Sequence, residues 1–224
     1  MSAGERAAVA QLEAEGDPPS AEKGESIQRL AEENVQLRRE IDELRERLGH
    51  MERLADQDPL APIPNRRAFV RELNRVIAFT QRYKARSSLV FFDINGFKRI
   101  NDSYGHAAGD KALLHVAQVL LKGVRESDIV GRLGGDEFGV ILVLTDARLA
   151  DEKARQLAQS IEKHPFLFSG MQHRLSVAYG VTTFSGGESV SDVLAAADRA
   201  MYLHKAELKD LGQGAAETAS AGTD

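Results

Sequence analysis

The chain of 224 residues contains no cysteine, which excludes disulfide bonds, thiolate chemistry and zinc sites with cysteine ligands. It also has no apolar run near the roughly 20 residues that a membrane-spanning helix needs. The first stretch, MSAGERAAVAQLEAEGDPPS, carries charges where a secretory signal would be apolar. The net charge of −5 gives no positive surplus for non-specific nucleic-acid binding. We therefore expect a cytoplasmic protein with no membrane insertion and no nucleic-acid partner.

The two ends of the chain differ in composition from its middle. Residues 1–21 are rich in Ala, Glu, Gly and Pro, and residues 210–224 are similar. Such segments bury too little apolar surface to fold alone, so we predict disordered tails; tails that bind a partner are the alternative. The overall hydrophobic content of 42% is enough for a real core. We assign residues 22–56 to a stalk and residues 57–209 to one globular domain.

The stalk segment carries a heptad repeat. Its apolar residues follow one another at alternating steps of three and four and fill the a and d positions: Ile27, Leu30, Leu37, Ile41, Leu44, Leu48, Met51 and Ala55. In a parallel dimer, g residues face e residues of the second chain, and these pairs have opposite charges: Glu33 with Arg38, Glu40 with Arg45, and Arg47 with Glu52. Asn34, at an a position, favours a two-stranded coil in register. A helix lying on the globular domain is the alternative, but such a helix usually has a wider apolar face. We predict a parallel coiled-coil dimer roughly 40 Å long.

Helix and strand patterns alternate beyond the stalk, which ends at the three prolines of DPLAPIP. The predicted helices are NRRAFVRELNRVIAFTQRY, GDKALLHVAQVLLKGV, a segment from Ala147 to Lys163 and a last segment from about Ser191. The predicted strands are SSLVFFDI, HRLSVAYGVTTF and a pair within DIVGRLGGDEFGVILVL, which is joined at Gly134 and Gly135, where positive φ is accessible. This alternation predicts an α/β sheet covered by helices.

Three carboxylates stand at strand ends in this pattern. Asp93 closes a buried strand, and Asp136 and Glu137 occupy the hairpin tip. Asp93 alone could cap a helix, but carboxylates from two strand ends near a core favour a metal site. Oxygen ligands without cysteine suit Mg²⁺ or Mn²⁺, and Mg²⁺ ordinarily shares its shell with water and substrate phosphates. The neighbouring turn NGFKRIND offers backbone N–H groups and Lys98 to an oligophosphate, so the pattern indicates phosphoryl or nucleotidyl transfer.

The same residues carry a family resemblance. GGDEF, from Gly134 to Phe138, resembles the signature of the GGDEF family, the diguanylate cyclases. Three further segments are similar to motifs of that family: NRRAF, DINGFKRINDSYGHAAGDKAL and AADRAMYLHK. The resemblance covers about Asp58 to Lys209. It implies an α/β (α+β) fold with a palm-like nucleotidyl-cyclase sheet flanked by helices, here preceded by a parallel dimeric coiled-coil helix. It also implies that two subunits, each holding one GTP, form cyclic di-GMP and release pyrophosphate.

The resemblance implies the catalytic residues at the hairpin. The implied metal ligands, for two Mg²⁺ or Mn²⁺ ions per active site, are Asp93, the backbone carbonyl of Ile94, and Asp136. Asp136 is also the candidate that assists deprotonation of the attacking 3′-hydroxyl, and Glu137 is a second candidate for metal or base duty. Gly134 and Gly135 let the backbone of the tip pass close to GTP.

The resemblance also implies the groups that contact substrate. Asn101 and Asp110 match the pair that reads guanine, because the amide and the carboxylate satisfy the edge of that base. The other implied contacts with the nucleotide are Phe97, Lys98, Leu113, Lys205 and Lys209.

A second site is implied by RESD, from Arg125 to Asp128. Its spacing before Gly134 matches the family's inhibitory site, where Arg and Asp hold cyclic di-GMP. The alternative is an ordinary surface pair at a helix end. We expect cyclic di-GMP to be both product and inhibitor.

The sequence departs from the family pattern at several positions. Ala61 and Pro62 replace Thr-Gly at the stalk junction, Asn95 replaces a frequent Asp, and Lys209 stands where Arg is usual. Weaker GTP binding is one consequence to expect, because Lys cannot grip a phosphate bidentately. Two other functions remain open: a module that senses GTP or cyclic di-GMP and signals through its coiled coil, and a scaffold.

Overall fold

A computed structural model describes residues 20–220 of the chain. Contacts divide the described residues into a unit that ends at Leu54 and a unit that begins at Ala55. Helix α1, Ser20–Asp56, is continuous over the segment where the heptads predicted a helix. Four of its a and d side chains are about half exposed or more in the single chain: Leu30, Leu37, Ile41 and Leu44. Residues 1–19, most of the predicted N-terminal tail, lie outside the described residues.

Helices and strands alternate through the second unit. The helices are α2 (Arg66–Tyr83), α3 (Phe97–Tyr104), α4 (His106–Gly123), α5 (Ala147–Lys163) and α6 (Val190–Ser220). The strands are β1 (Ser87–Ile94), β2 (Ile129–Arg132), β3 (Glu137–Leu142), β4 (Phe166–Phe168), β5 (Met171–His173) and β6 (Val177–Phe184). Within the described residues, no helix combines the length and the apolar character needed to cross a bilayer.

The main sheet has the order β2-β3-β1-β6, and its neighbouring strands are antiparallel. Every residue of β1 is buried, because β1 is a central strand with helices on both faces of the sheet. Helices α4 and α5 cover one face, where Val90 and Phe92 point, and α2 and α6 cover the other, where Leu89 and Phe91 point. The predicted fold class, an α/β (α+β) fold with a sheet flanked by helices, is confirmed.

Three local features differ from the sequence predictions. The segment NGFKRIND, expected as a turn, begins helix α3 after Gly96, which adopts a φ of 69°. Strands β4 and β5 form an additional hairpin, closed by Ser169 and Gly170, both with positive φ. Helix α6 continues to Ser220, beyond residue 210, where a disordered tail was predicted to begin.

The hairpin tip also differs in its backbone conformation. Gly134 and Gly135 do not adopt the positive φ that the sequence suggested. A Cβ on Gly134 would lie 2.7 Å from Oε2 of Glu137, whereas one on Gly135 would meet no heavy atom within 4 Å. Contacts with other residues therefore hold the tip, and no glycine in the left-handed conformation is needed there.

Candidate active site

The three candidate carboxylates meet at one end of the sheet. Asp93 on β1 lies opposite Glu137 on β3 in the antiparallel register. The backbone N–H of Ile94 donates to the carbonyl oxygen of Asp136 at 3.2 Å, which places the hairpin tip against the end of β1. The structure thus brings Asp93, Ile94, Asp136 and Glu137 together, although 43 residues separate the first carboxylate from Asp136 in sequence.

Lys205 brings a positive charge from helix α6 to this strand end. Its ammonium group donates to Oδ1 of Asp93, a residue that is only 8% exposed. Gly180 on β6 allows the helix to come so close. A Cβ at Gly180 would lie 2.1 Å from the backbone nitrogen of Met201 and 2.3 Å from the carbonyl oxygen of Ala197. Helix α6 therefore packs directly on β6 and carries Lys205 to Asp93.

Repulsion remains among the carboxylates in spite of Lys205. Burial raises the pKa of Asp136, the charge of Asp93 raises it further, and Lys205 and Arg132 oppose this only in part. Burial also raises the pKa of Glu137, with added contributions from the charges of Asp93 and Asp136. Neighbouring like charges and desolvation both disfavour the ionised forms. This end of the sheet therefore favours an additional positive charge.

The donor set fits a divalent cation that is held by few protein ligands. Among the residues that the structure describes, no three His, Cys, Asp or Glu side chains are arranged to hold an ion by themselves. Two carboxylates and a carbonyl oxygen suffice for Mg²⁺, which completes its shell with water and substrate phosphates. A cation between Asp93 and Asp136 would also relieve the repulsion that raises the pKa of Asp136.

Asn101 and Asp110, the residues predicted to read guanine, lie on adjoining helices α3 and α4. A Cβ on Gly109 would lie 2.0 Å from Oδ1 of Asn101, so the Asn101 amide rests against the backbone next to Asp110. Asn101 is half-buried and Asp110 is exposed. Together an amide and a carboxylate offer both donors and acceptors to the edge of a base.

The other predicted substrate residues are more dispersed. Lys98 is exposed on α3, and Phe97 is partly buried against the core. Leu113 is 3% exposed and belongs to the core beneath α4. The side chain of Lys209 lies outside the described residues.

Known proteins are similar to this chain over the region that contains the candidate active site. Residues 55–210 match the family described as "Diguanylate cyclase, GGDEF domain". The chain belongs to this GGDEF family. It is 34% identical over 194 residues to the diguanylate cyclase DgcP of Pseudomonas aeruginosa, covering 80% of this chain and 29% of DgcP. It is 32% identical over 173 residues to the probable diguanylate cyclase DgcE of Escherichia coli K12, covering 77% of this chain and 16% of DgcE.

A solved structure shares the architecture of the GGDEF domain. The crystal structure of the coiled coil and GGDEF domain of DgcB from Caulobacter crescentus, in complex with c-di-GMP, matches with a TM-score of 0.72 and 27% identity. The match covers 80% of this chain and 95% of the DgcB chain. The predicted family is therefore confirmed. The chain spans less than a third of the length of DgcP and DgcE.

An arginine that the sequence analysis did not single out holds the GGDEF hairpin tip. Arg132 donates through Nη2 and Nε to the carbonyl oxygen of Gly135, at 2.7 and 3.2 Å. Its Nη1 donates to Asp58 Oδ2 at 3.2 Å. Asp58 in turn accepts from the backbone N–H groups of Leu60 and Ala61, both at 3.0 Å. The junction after the stalk is thus fastened to the hairpin that carries Asp136. The only sequence signal was the arginine two residues before Gly134.

The predicted inhibitory residues lie at the opposite end of β2 from the hairpin. The Asp128 carboxylate accepts from the backbone N–H of Arg125 at 3.0 Å and from that of Val143 at 3.1 Å. Arg125 is exposed, and both residues line a cavity of about 160 Å³. Asp128 therefore shapes the turn and leaves the Arg125 guanidinium at the surface of the cavity.

Proposed function

We propose that this GGDEF protein is a diguanylate cyclase. The 3′-oxygen of each of two GTP molecules forms a bond to the α-phosphorus of the other, each 3′-hydroxyl loses its proton, and two pyrophosphates leave. One observation carries the proposal. Asp93, Asp136 and Glu137 meet at the sheet end with a remaining repulsion that raises the pKa of Asp136 and of Glu137. Such a group of oxygens favours a divalent cation and the phosphates that accompany it.

The metal would be Mg²⁺ or Mn²⁺, with two ions per active site, held by Asp93, Asp136 and the carbonyl oxygen of Ile94. When bound, the ions stabilise negative charge on the phosphates. Lys205, whose ammonium donates to Asp93, would then compete with a cation for that carboxylate. Asp136 is the candidate that would assist deprotonation of the 3′-hydroxyl, by accepting the proton on its carboxylate. Glu137 is the second candidate for this step.

The base would be read by Asn101 and Asp110. Adenine would leave the Asp110 acceptor unpaired, and an unpaired polar group at a binding site lowers affinity strongly. Gly134 and Gly135 would lie beside the nucleotide at the tip. The remaining contacts that we propose for the nucleotide are Phe97, Lys98, Leu113, Lys205 and Lys209.

Two nucleotide-loaded domains must face each other in this reaction, and we propose that α1 holds them together as a parallel coiled coil. Support comes from its exposed seam: Leu30 is 64% exposed and Leu44 is 62% exposed in the single chain. Apolar side chains repeated at a and d positions are stabilised when a second helix covers them. The homodimer would therefore raise the effective concentration of one GTP site relative to the other.

Feedback by cyclic di-GMP is proposed at Arg125 and Asp128. Arg125 offers a planar fork of donors to a guanine edge or a phosphate. Asp128 uses one lone pair on each oxygen for backbone N–H groups, which leaves acceptor capacity for guanine. Progress curves with added cyclic di-GMP test this site. The Arg125→Ala variant should lose the inhibition and keep its initial rate, and equal slowing of both proteins would exclude the site.

The direct test of the proposed activity is product formation from GTP and Mg²⁺. The wild type should form cyclic di-GMP and pyrophosphate in a one-to-two ratio, detected by chromatography. Binding of GTP without product would favour the sensing module. If the protein neither binds GTP nor forms product, the scaffold function would be the remaining alternative.

Deleting residues 1–54 tests the stalk. The cut should spare Ala55 and Asp56, because Asn65 Nδ2 donates to the Ala55 carbonyl at 2.7 Å and Asp56 pairs with Arg67. The shortened protein should be a monomer whose activity per molecule rises with protein concentration. Activity per molecule independent of concentration would exclude α1 as the dimerisation element.

A further inference from the structure

Helix α3 carries Asn101, one of the two residues proposed to read guanine, and it packs only shallowly on the domain. The helix has eight residues, all of them described, and none is fully buried. Its N-cap, Gly96, has no side chain to bond the first turn, and its last turn is closed by the backbone N–H of Gly105. Phe97 and Ile100 pack against the core, but each is only partly buried. Because two helical turns are marginally stable alone, contacts outside the helix decide how firmly Asn101 is held.

One such contact joins α3 to the hairpin β4–β5. The rings of Tyr104 on α3 and His173 on β5 lie 4.6 Å apart and meet edge to face at 68°, a favourable arrangement for two rings. The ring of His173 also lies 5.2 Å from that of Phe166 on β4, which is 4% exposed and belongs to the core. Tyr104 follows Asn101 by three residues, so the two side chains are neighbours on the helix surface. The three rings therefore connect the core to the part of α3 that carries Asn101.

The ring of His173, rather than its hydrogen bonding, makes this contact. Within the part of the chain that the structure describes, Nε2 of His173 is buried and has no hydrogen-bond partner. A buried polar atom without a partner lowers stability, and a phenylalanine ring would make the same edge-to-face contact without that loss. The contact with Tyr104 should therefore survive in His173→Phe and be absent from His173→Ala.

The spacing between Asn101 and Asp110 leaves little room for movement of α3. The Asn101 amide rests against the backbone of Gly109, where an added Cβ would lie 2.0 Å from its Oδ1. Asp110 is the next residue along α4. An amide and a carboxylate that read one base edge together must both stay within hydrogen-bond distance, and a displacement of about 1 Å is enough to lose such a bond. A small shift of α3 would therefore weaken the reading of guanine.

We propose that Tyr104 and His173 are positioning residues for the recognition of guanine. Their ring contact holds α3 against the β4–β5 hairpin and so fixes the Asn101 amide beside Asp110. The proposal rests on the proposed function, because it takes Asn101 and Asp110 as the residues that read the base. Neither ring needs to touch the nucleotide. The contact would therefore raise the preference for guanine over adenine without adding to phosphate binding.

Calorimetry in Mg²⁺ with three probes tests this role: 3′-deoxy-GTP, 3′-deoxy-ATP and inorganic pyrophosphate. The deoxynucleotides lack the attacking hydroxyl, so they bind without being condensed. Tyr104→Ala and His173→Ala should each weaken binding of 3′-deoxy-GTP about fivefold, the scale of one aromatic pair. Affinities for the other two probes should stay within about twofold. Tyr104→Phe and His173→Phe keep the rings and should bind all three probes as the wild type does.

A double-mutant cycle separates positioning from a general loss of structure. Asn101→Ala alone should weaken binding of 3′-deoxy-GTP. Adding Tyr104→Ala to Asn101→Ala should cause no further loss, because Tyr104 acts through the Asn101 amide. A further fivefold loss in that background, or an equal loss for all three probes in Tyr104→Ala, would overturn the positioning role. Unchanged affinity of both single alanine variants for 3′-deoxy-GTP would overturn it as well.

Tyr83→Ala is the matched control. The ring of Tyr83 lies 4.6 Å from that of Phe79, the same separation as between Tyr104 and His173. Tyr83 is 61% exposed, and it ends helix α2, to which no nucleotide contact is assigned. Tyr83→Ala should bind all three probes as the wild type does. A selective loss of 3′-deoxy-GTP binding in this control would contradict the assignment to the Tyr104–His173 pair.

The cyclase proposal is judged separately, by product formation from GTP in the same preparations. If the wild type forms cyclic di-GMP while Tyr104→Ala binds 3′-deoxy-GTP normally, only the positioning role is wrong. If Tyr104→Ala shows the selective loss but the wild type forms no cyclic di-GMP, the positioning role stands and the proposed reaction falls.

Discussion

Two groups of carboxylates in the GGDEF domain differ in how their charge is balanced. The junction carboxylates are Asp56 and Asp58, which follow the stalk. Asp56 pairs with Arg67 at 2.8 Å and with Arg71 at 2.6 Å, and these arginines lower its pKa. Asp58 pairs with Arg132 and caps two backbone N–H groups. In this group the protein itself supplies the positive charge.

The hairpin carboxylates are Asp93, Asp136 and Glu137. Lys205 pairs with the first, yet burial and mutual repulsion still raise the pKa of the other two. The two groups therefore differ in the direction of their pKa shifts: the pKa of Asp56 is lowered, whereas those of Asp136 and Glu137 are raised. Arginines pair with the junction carboxylates. At the hairpin, the protein's own cations offset the negative charge only in part. This difference in charge balance favours a cation site at the hairpin.

The largest expected effect comes from neutralising a hairpin carboxylate. Asp136→Asn should lower cyclic di-GMP formation by about a hundredfold or more, the scale of losing a catalytic acid–base group. The metal-free variant should unfold at the same urea concentration as the wild type or a higher one, because the substitution removes repulsion. Asp146→Asn is a matched control, since it makes the same chemical change at the N-cap of α5, where Asn also caps well. Near-normal turnover of Asp136→Asn would remove it from the catalytic site.

The elements and the hairpin that hold these carboxylates could be predicted from sequence, because local patterns indicate them. The boundaries of β1 and α5 follow from an unbroken apolar run and from a capping Asp before an amphipathic segment. The hairpin motif located Asp136 and Glu137. Helix α3 was missed because glycine and asparagine at its start indicated a turn.

The charge balance could not be predicted, because it depends on tertiary contacts. Arg132 meets Asp58 across 74 residues, and Lys205 meets Asp93 across 112 residues. The hairpin β4–β5 gave a weak signal, since its strands are three residues long and Leu167 is 66% exposed. Strands as short and exposed as these contain too few residues to show an alternating apolar pattern.

The second prediction concerns a junction carboxylate, where the expected effect is on stability. Asp58→Ala removes the partner of Arg132 and the acceptor for two backbone N–H groups, so the free energy of unfolding should fall by about 2 kcal/mol. Asp58→Asn keeps an acceptor for the N–H groups and should lose about half as much. Urea unfolding in EDTA measures both. An Asp58→Ala protein as stable as the wild type would show that the junction does not need its arginine pair.

The third and smallest effect is a difference in the sign of pH dependence. The raised pKa of Asp136 means that its contribution to stability is present below the ordinary carboxyl value and is lost as pH rises through the raised value. The lowered pKa of Asp56 means the reverse: its contribution is present above the ordinary value and is lost as pH falls through the lowered value.

Unfolding free energies in EDTA at a series of pH values separate the two groups. Relative to the wild type, Asp136→Asn should gain stability as pH rises above the ordinary carboxyl range. The free energy of unfolding of Asp56→Asn should be lower than that of the wild type above the ordinary carboxyl range, and this deficit should disappear as pH falls below that range. If the two variants follow the wild type in parallel at all pH values, the two groups of carboxylates do not differ electrostatically.

The hairpin carboxylates would bind a cation, and the junction carboxylates would not. Calorimetric binding of 3′-deoxy-GTP, with Mg²⁺ and with EDTA, tests this difference most directly. Mg²⁺ should increase the affinity of the wild type and of Asp58→Asn equally. In Asp136→Asn this gain should shrink by about tenfold or more, the scale of one lost charged interaction. An undiminished Mg²⁺ gain in Asp136→Asn, or an equal loss in Asp58→Asn, would contradict the account.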